Sequence, residues 1–356
     1  MNFLDQRTFA ASSAEGEELL KTVIELYQRE PPVTAFVRAV NLPEAKIDFQ
    51  QPVEDIWPEV LLVAAQQNKL RALIAKVAEN PNSQTAADYF KRVLAPAPEP
   101  DVTVNYYAAA ILPARRSLID RVDLRKHLQD LVSPDGSRVF VVSGPTGLGK
   151  SHTWLFISFL AERTRAFTPY LVDASRRAGS PMTAREVAAD IATQLGWDQP
   201  PVSDASTQGP TMVRMLVAWF TGQARRLDEQ VWFVFDGFVD ETADQYAQDL
   251  LSEITIAANK NVTPNVRVSL LEFDRALDPE VDIYAAKEPL HRPSRADCRA
   301  FFRAAAEYYR TAVEDEGLEV LVTQLLGADG AGDHLSLAEL GAHASRLARA
   351  AFEVPA

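Results

Sequence analysis

The sequence has very little cysteine: Cys298 is the only one, so no disulfide can form within the chain. No apolar run approaches the roughly 18 residues that a membrane-spanning helix needs. Residues 1–7 lack the basic start and apolar stretch of a secretory signal. Basic residues are outnumbered, 36 against 49 acidic ones, and the net charge of −13 disfavours binding to nucleic acid or anionic lipid. Together these absences predict a cytoplasmic protein.

The chain does contain enough apolar material for folded domains. Hydrophobic residues make up 47% of its 356 residues, as in globular proteins. The length suits two domains, because one domain typically takes about 100–200 residues. No internal repeat of fixed period is found, and the five histidines are scattered without metal-binding spacing.

Residues 1–94 are predicted to form an all-helical domain. Apolar residues recur there at helical spacing in five segments, near 20–27, 33–40, 57–64, 70–77 and 86–93. After them, residues 95–100 carry proline at every second position, which is incompatible with a helix and favours an extended spacer. The sequence therefore predicts a linker over residues 95–114.

Strand and helix signals alternate beyond the linker, which is typical of a parallel sheet covered by helices. Strands are predicted at 138–142, 170–173, 231–235 and 266–271, with a last one near 282–289. Helices are predicted at 150–162, 183–195, 211–226, 243–258, 295–310, 318–326 and 335–352. We expect an α/β core over residues 115–292, followed by a helical lid over residues 293–356.

A glycine-rich segment between the first predicted strand and its helix matches the P-loop pattern G-x-x-x-x-G-K-[ST] at every position. Glycines let successive N–H groups surround a phosphate, and the helix N-terminus that follows favours anions. Lys150 is predicted to reach the β- and γ-phosphates, and the Ser151 hydroxyl to ligate magnesium. The fold class is therefore an α/β P-loop NTPase with ATP and Mg²⁺ as cofactors. The predicted cofactor-binding residues here are Gly144, Pro145, Thr146, Gly147, Leu148, Gly149, Lys150, Ser151 and His152.

A second magnesium ligand is expected at the end of a neighbouring buried strand. Asp236 directly follows the five apolar residues 231–235. A carboxylate at the tip of a core strand is suited to metal coordination. The alternative is an exposed aspartate at a strand end.

Hydrolysis also needs a group that orients or deprotonates water. Asp240 and Glu241 follow the strand and are candidates, although both residues could instead cap the next helix. Arg275 follows the strand at 266–271 and could reach the γ-phosphate. It could equally pair with Glu272 or Asp274 at the surface.

The P-loop and residues 232–241 together resemble STAND-class P-loop NTPases, most closely the NACHT branch, in the strand, the Asp-Gly turn and the acidic pair that follows. Ordinary AAA+ ATPases place a glutamate directly after the aspartate, where this chain has Gly237. Residues 117–121 resemble the start of such modules, where the nucleotide base docks, so Arg121 is expected on the base-binding side. The resemblance covers about residues 115–310, with the acidic pair one residue late and with no repeat array serving as a sensor.

Residues 1–94 resemble the effector-associated domain, type one, of bacterial conflict systems. The residues that carry the resemblance are Leu20, Leu26, Tyr27, Trp57, Leu61, Ala64, Leu70, Leu73, Asn80, Pro81 and Asn82. The resemblance implies a small death-like helical domain that recruits partners bearing a similar domain. Such a partner would be a protease or another effector.

Three functional hypotheses follow from these observations. The first is a nucleotide-dependent signalling switch in bacterial defence, which assembles into a homo-oligomer and hydrolyses ATP slowly. The second is a P-loop kinase acting on a small substrate, for which the predicted lid offers Arg295, Arg299 and Arg303. The third is a nucleotide-locked scaffold without turnover. Neither a membrane nor a nucleic acid is expected as a partner.

Overall fold

A computed structural model describes residues 3–5, 9, 14–28, 30–44, 47–67, 69–95, 104–113, 116–119, 121–175, 180–201, 209–273, 275–327 and 335–353. Residues 96–103 of the predicted linker, and Asp274, lie outside the described residues. Backbone contacts divide the chain into two compact units. One unit is formed by residues 1–99 with 189–199, and the other by residues 100–188 with 200–356.

The N-terminal region is all-helical, as predicted. Its helices are α1 Ala14–Leu26, α2 Glu30–Ala39, α3 Val53–Gln66, α4 Leu70–Glu79 and α5 Ala87–Leu94, with a short 3₁₀ helix over Pro81–Ala86. Trp57 of α3 is fully buried at the centre of the core, where its ring contacts Tyr27 and Phe36. Aromatic side chains bury the most apolar area per residue, so this cluster contributes strongly to the stability of the region.

The turn after α4 is held by buried polar groups. The Asn80 side chain accepts a hydrogen bond from the Asn82 amide at 3.0 Å, which fixes the start of the 3₁₀ helix. The Ser83 hydroxyl lies 2.6 Å from the Val77 carbonyl and 2.7 Å from the Tyr27 hydroxyl. Because these buried polar groups pair with one another, the chain can turn there without leaving a donor unsatisfied.

The second unit contains seven strands within the described residues. They are β1 Ile111–Leu112, β2 Arg116–Ser117, β3 Val139–Ser143, β4 Thr168–Asp173, β5 Val231–Asp236, β6 Val266–Leu270 and β7 Ala286–Pro289. The first two form a small antiparallel pair. The other five form one parallel sheet in the order β4-β5-β6-β3-β7.

Further helices accompany this sheet along the chain. They are α6 Val122–Val132, α7 His152–Thr164, α8 Ala184–Leu195, α9 Pro210–Ala224, α10 Gln245–Asn259, α11 Pro279–Tyr284, α12 Arg295–Tyr308, α13 Asp315–Leu326 and α14 Leu337–Phe352. All six residues of β5 are buried. Trp232 stacks on Phe167 beyond α7, while its neighbour Phe233 contacts Phe220 of α9. A strand covered on both faces is apolar throughout, which explains why residues 231–235 are all apolar.

Two sequence-based expectations about the sheet need correction. The predicted strand near 282–289 is a strand only from Ala286, because Asp278 caps α11 by accepting from the Glu280 amide at 2.9 Å and Pro279 takes the first helical position. In addition, the strand that ends at Asp236 is not a neighbour of the P-loop strand, since β6 lies between β5 and β3.

The three C-terminal helices pack on one another around a shared apolar core that also includes Ile111 and Ile119. Capping boxes fix the starts of two of them, at Ser294 with Asp297 for α12 and at Ser336 with Glu339 for α14. Across the described part of the chain, no helix is both long enough and apolar enough to traverse a lipid bilayer.

Candidate functional site

The predicted P-loop connects β3 to α7, as its sequence indicates. The amides of His152 and Thr153 donate to the carbonyls of Gly149 and Lys150 at 3.0 and 2.9 Å, so helical bonding starts within the loop itself. Gly147 has a φ of +83°, which L-residues with a side chain rarely adopt, and an added Cβ there would meet nothing within 4 Å. The loop therefore presents its backbone, without side-chain obstruction at this point, beside a helix N-terminus.

Lys150 is buried, with 8% of its surface exposed. Its ammonium donates to the Gly144 carbonyl at 2.7 Å and lies 3.3 Å from the Pro145 carbonyl. The same Nζ atom makes an ion pair with the Glu272 carboxylate at 2.8 Å. Glu272 was not among the predicted site residues, since nothing in the sequence places this residue, two positions after β6, beside the loop.

Asp236 ends β5 and is 3% exposed. Burial raises the pKa of its carboxyl above the usual value, and the charges of Asp173 and Glu272 act in the same direction. Hydrogen bonds from Ser151 and from the Gly237 amide oppose that rise. One carboxylate oxygen, Oδ1, has no hydrogen-bond partner although it is buried. A buried acceptor without a partner is costly, so the site is arranged for a further electropositive group.

This arrangement fits a magnesium ion. A hydroxyl oxygen from Ser151 and a carboxylate oxygen from Asp236 are hard oxygen ligands of the kind that Mg²⁺ takes. The described residues include no group of three or more His, Cys, Asp or Glu side chains arranged to hold a metal. Magnesium commonly binds through one or two carboxylates together with phosphate oxygens of a substrate, so two protein ligands suffice.

Gly237 permits the sharp turn after Asp236. Its φ is +72°, and a Cβ at this position would lie 2.7 Å from the Cβ of Ser175 and 2.8 Å from the Ser175 amide nitrogen. A glutamate directly after the aspartate would therefore clash with the chain beyond β4. The structure thus gives a steric reason for the Asp-Gly turn.

A cavity of about 640 Å³ opens beside the loop. Residues 146–152 line one side of it, the segment at 116–119 and the first turns of α14 line others, and Glu272 also borders it. This volume lies within the roughly 300–1,000 Å³ that small-molecule and cofactor sites occupy. The loop, the β2 segment and the lid thus enclose a space suited to a nucleotide.

Arg121 and His152 both line this cavity. Arg121 is 7% exposed and donates to the Leu148 carbonyl at 3.3 Å, so its guanidinium lies against the P-loop backbone. Burial lowers the pKa of the His152 imidazole, and the charges of Arg121 and Arg116 lower it further. His152 is therefore neutral at physiological pH and contributes no charge to phosphate binding.

The three residues predicted to support hydrolysis do not line the cavity, and neither does Asp236, which lies behind Ser151. Asp240 and Glu241 are exposed in the turn after β5, where Asp240 accepts a hydrogen bond from Gln248 of α10 at 3.0 Å. Arg275 pairs with Asp249, also on α10. The structure thus places all three around the start of α10, while Lys150, Ser151 and Asp236 come together at the loop.

The parallel sheet, the loop geometry and the buried aspartate define the second unit as an α/β P-loop NTPase fold. Structural similarity extends to a Walker-type ATPase of Pyrococcus abyssi, at 16% identity and a TM-score of 0.37, covering 67% of this chain and 69% of that one. It also extends to Aeropyrum pernix Orc1, solved in complex with DNA, at 21% identity and a TM-score of 0.35, covering 59% and 53% of the two chains. Domain III of the Thermotoga maritima replication initiator DnaA matches at 11% identity and a TM-score of 0.32, covering 64% and 83%. The fold assignment rests on the sheet and loop of this chain and not on these distant similarities.

The N-terminal region is identified by its sequence. Residues 9–94 match the family model of effector-associated domain 1, which confirms the resemblance seen in the helical pattern. No curated protein is significantly similar in sequence to the chain. The chain therefore joins an effector-associated domain to a P-loop ATPase-like fold, a combination that indicates nucleotide-dependent signalling.

Proposed function

We propose that this protein is a signalling switch that binds ATP with Mg²⁺, hydrolyses it slowly, and recruits an effector through its N-terminal domain. The observation that carries the proposal is the unpartnered, buried Oδ1 of Asp236 beside the Ser151 hydroxyl. Ser151 is the last residue of a P-loop that matches its consensus at every position.

The roles of the site residues follow from their chemistry. Ser151 and Asp236 would hold the magnesium ion, which when bound neutralises phosphate charge. The backbone amides of the loop and the N-terminus of α7 would bind phosphate oxygens. Lys150 would supply the positive charge that balances the β- and γ-phosphates. Arg121 would support the loop from the cavity side through its bond to Leu148.

Slow turnover is supported by the positions of the candidate catalytic residues. Asp240 and Glu241 are exposed and outside the lining of the cavity, and Arg275 is engaged with Asp249. A group that activates water must come within hydrogen-bond reach of it, directly or through one further water. The same observation favours a second candidate function, a nucleotide-locked scaffold that does not turn over.

The lid arginines that motivated the kinase alternative form ion pairs within the lid. Arg295 pairs with Glu319 of α13, and Arg299 and Arg303 both pair with Asp315 at the start of that helix. These arginines join two lid helices and do not line the cavity. They are therefore unsuited to gripping a transferred phosphoryl group.

Recruitment and assembly complete the proposal. Effector-associated domain 1 over residues 9–94 supports like-with-like capture of a partner that carries a similar domain, such as a protease. The Asp-Gly turn at Gly237 supports placement in the STAND class, close to the NACHT branch, with a role in bacterial antiviral defence. A switch of this kind needs nucleotide to stabilise one state over another, and a homo-oligomer would be the favoured state.

Substitution of the P-loop lysine tests the nucleotide part of the proposal. We expect Lys150→Ala to weaken binding of a fluorescent ATP analogue in the presence of Mg²⁺ by about 10- to 150-fold, because a charge-assisted hydrogen bond contributes about 1.5–3 kcal/mol. The measurement is an equilibrium titration on the full chain.

Lys260→Ala is the matched control, since it removes an equal charge from an exposed pair in which Nζ lies 3.3 Å from Glu280. We expect this control to bind like the unmodified protein. Equal affinity of Lys150→Ala and the unmodified protein would overturn the proposal.

A further inference from the structure

Glu272 lies two residues beyond β6, the strand between the P-loop strand β3 and the strand β5 that ends at Asp236. It follows Leu271, whose amide donates to the Phe235 carbonyl at 2.9 Å. The Glu272 carbonyl in turn accepts from the Phe238 amide at 2.9 Å. The backbone at this point is thus tied to the chain that leaves β5, while the side chain extends toward β3 and reaches Lys150.

The Lys150 ammonium donates to two loop carbonyls and forms an ion pair with a carboxylate. A lysine ammonium carries three N–H groups and no acceptor. Three oxygens surround Nζ: the Gly144 carbonyl at 2.7 Å, the Pro145 carbonyl at 3.3 Å and the Glu272 carboxylate at 2.8 Å. A phosphate that binds this ammonium therefore competes with these oxygens. The two carbonyls belong to the loop backbone, which leaves the Glu272 side chain as the partner that can move.

The charge of Glu272 opposes phosphate as well. Glu272 borders the cavity and is 25% exposed, and its partner Lys150 is 8% exposed, so water screens the pair less than an exposed one. Its charge also contributes to the raised pKa of the Asp236 carboxyl, although Asp236 itself does not line the cavity. A polyphosphate entering the cavity meets the Glu272 carboxylate and a lysine that is already paired with it.

We propose that Glu272 is an internal competitor of nucleotide phosphate for Lys150, so that the Lys150–Glu272 ion pair and phosphate binding exclude each other. The inference rests on the proposed function, in which Lys150 binds a triphosphate. The ion pair makes only a fraction of molecules competent to bind at any moment, and the apparent affinity is lowered by that fraction. Glu272 thereby sets the nucleotide concentration at which the protein responds.

Neutralising Glu272 without changing its shape tests this inference. We expect Glu272→Gln to bind a ribose-labelled fluorescent ATP analogue with Mg²⁺ about tenfold more tightly than the unmodified full chain. Glu280→Gln is the matched control, because it removes one carboxylate charge from the exposed pair with Lys260. We expect this control to leave the affinity unchanged.

The outcomes separate this inference from the proposed function. Tighter binding by Glu272→Gln supports the inference, also when the unmodified protein binds too weakly to measure. Unchanged or weaker binding by Glu272→Gln, beside measurable binding by the unmodified protein, overturns the inference and leaves the proposed function standing. Failure of both proteins to bind overturns both.

A structure of the unmodified protein with Mg²⁺ and a non-hydrolysable ATP analogue tests the inference without any substitution. We expect the Glu272 carboxylate to have left Lys150, with a phosphate oxygen in its place. An ion pair that remains at 2.8 Å beside bound phosphate would refute the competition, whatever the behaviour of the variants.

Discussion

At the scale of single residues, Asp236 shows that stability and binding make opposite demands. Its carboxylate is buried beside Asp173 and Glu272, and its Oδ1 atom lacks a hydrogen-bond partner. A buried charge without full compensation destabilises the fold, yet the same oxygen is available to a metal ion. This loss of stability is consistent with a binding role, because strained or unsatisfied groups concentrate at functional sites.

Asp236→Asn is therefore expected to stabilise the protein while weakening ligand binding. The neutral amide removes the desolvated charge and its repulsion with Glu272, so the free energy of unfolding at pH 7 should rise by about 1 kcal/mol. Magnesium-dependent ATP affinity should fall, because the amide is a poorer ligand for a hard cation. Denaturant unfolding and nucleotide titration measure the two effects separately.

Asp135→Asn makes the same change of charge at an exposed loop position and serves as the control. We expect it to alter neither quantity. A lower unfolding free energy for Asp236→Asn than for the unmodified protein would show that the carboxylate stabilises the fold, which is the opposite of the expected effect.

At the scale of elements, β6 links the core to the site. The strand lies between β5 and β3, and all five of its residues are buried. Arg267 near its start is 1% exposed, and its guanidinium donates to the carbonyls of Leu131 and Ser133 at the end of α6 and of Pro264 before the strand. Burial lowers the pKa of Arg267 to about 10, which still leaves it charged at neutral pH.

Replacing this arginine should destabilise the second unit. Arg267→Met keeps an apolar chain of similar length but removes the donor to the buried Leu131 carbonyl and to the partly buried Ser133 carbonyl, and the free energy of unfolding should fall by about 3 kcal/mol. Arg138→Met is the control, because Arg138 also donates to the Pro264 carbonyl, at 2.7 Å, but from an exposed hydrogen bond. The unfolding free energy of Arg138→Met should fall by no more than about 0.5 kcal/mol. If thermal or denaturant unfolding gave the same loss of stability for both variants, the buried guanidinium would not stabilise the fold more than the exposed one.

At the scale of the whole molecule, the chain joins a P-loop ATPase-like fold to an effector-associated domain. The site is enclosed by the loop, the segment at 116–119 and the lid helix α14, so elements distant in sequence meet at one cavity. The Ser117 hydroxyl donates to the Gly341 carbonyl at 2.8 Å, which fixes the lid helix to β2. A ligand bound there would contact both, and such shared contacts allow it to favour one arrangement of the chain over another.

Assembly should therefore depend on nucleotide. We expect light scattering to give the mass of one chain without nucleotide and a multiple of it with Mg²⁺ and a non-hydrolysable ATP analogue. Lys150→Ala should remain at the mass of one chain under both conditions. An unchanged mass at saturating nucleotide would contradict assembly into a homo-oligomer while leaving nucleotide binding intact.

The sequence by itself determined the features that depend on local spacing. Gly144 to Ser151 specifies the loop between a strand and a helix because glycine, lysine and serine are each required at fixed steps along the backbone. Alternating strand and helix signals predicted the parallel sheet, and helical periodicity predicted the N-terminal domain. These patterns act over a few turns or one strand, so no distant contact was needed to interpret them.

Only the tertiary structure decided which distant residues meet. Insertion of β6 between β3 and β5 brings Glu272 to Lys150, although the two residues lie far apart in the sequence. Arg275, a few residues further on, turns instead to Asp249 of α10. Strand order is set by how whole elements pack and not by the residues at their ends, so spacing along the chain could not foresee either pairing.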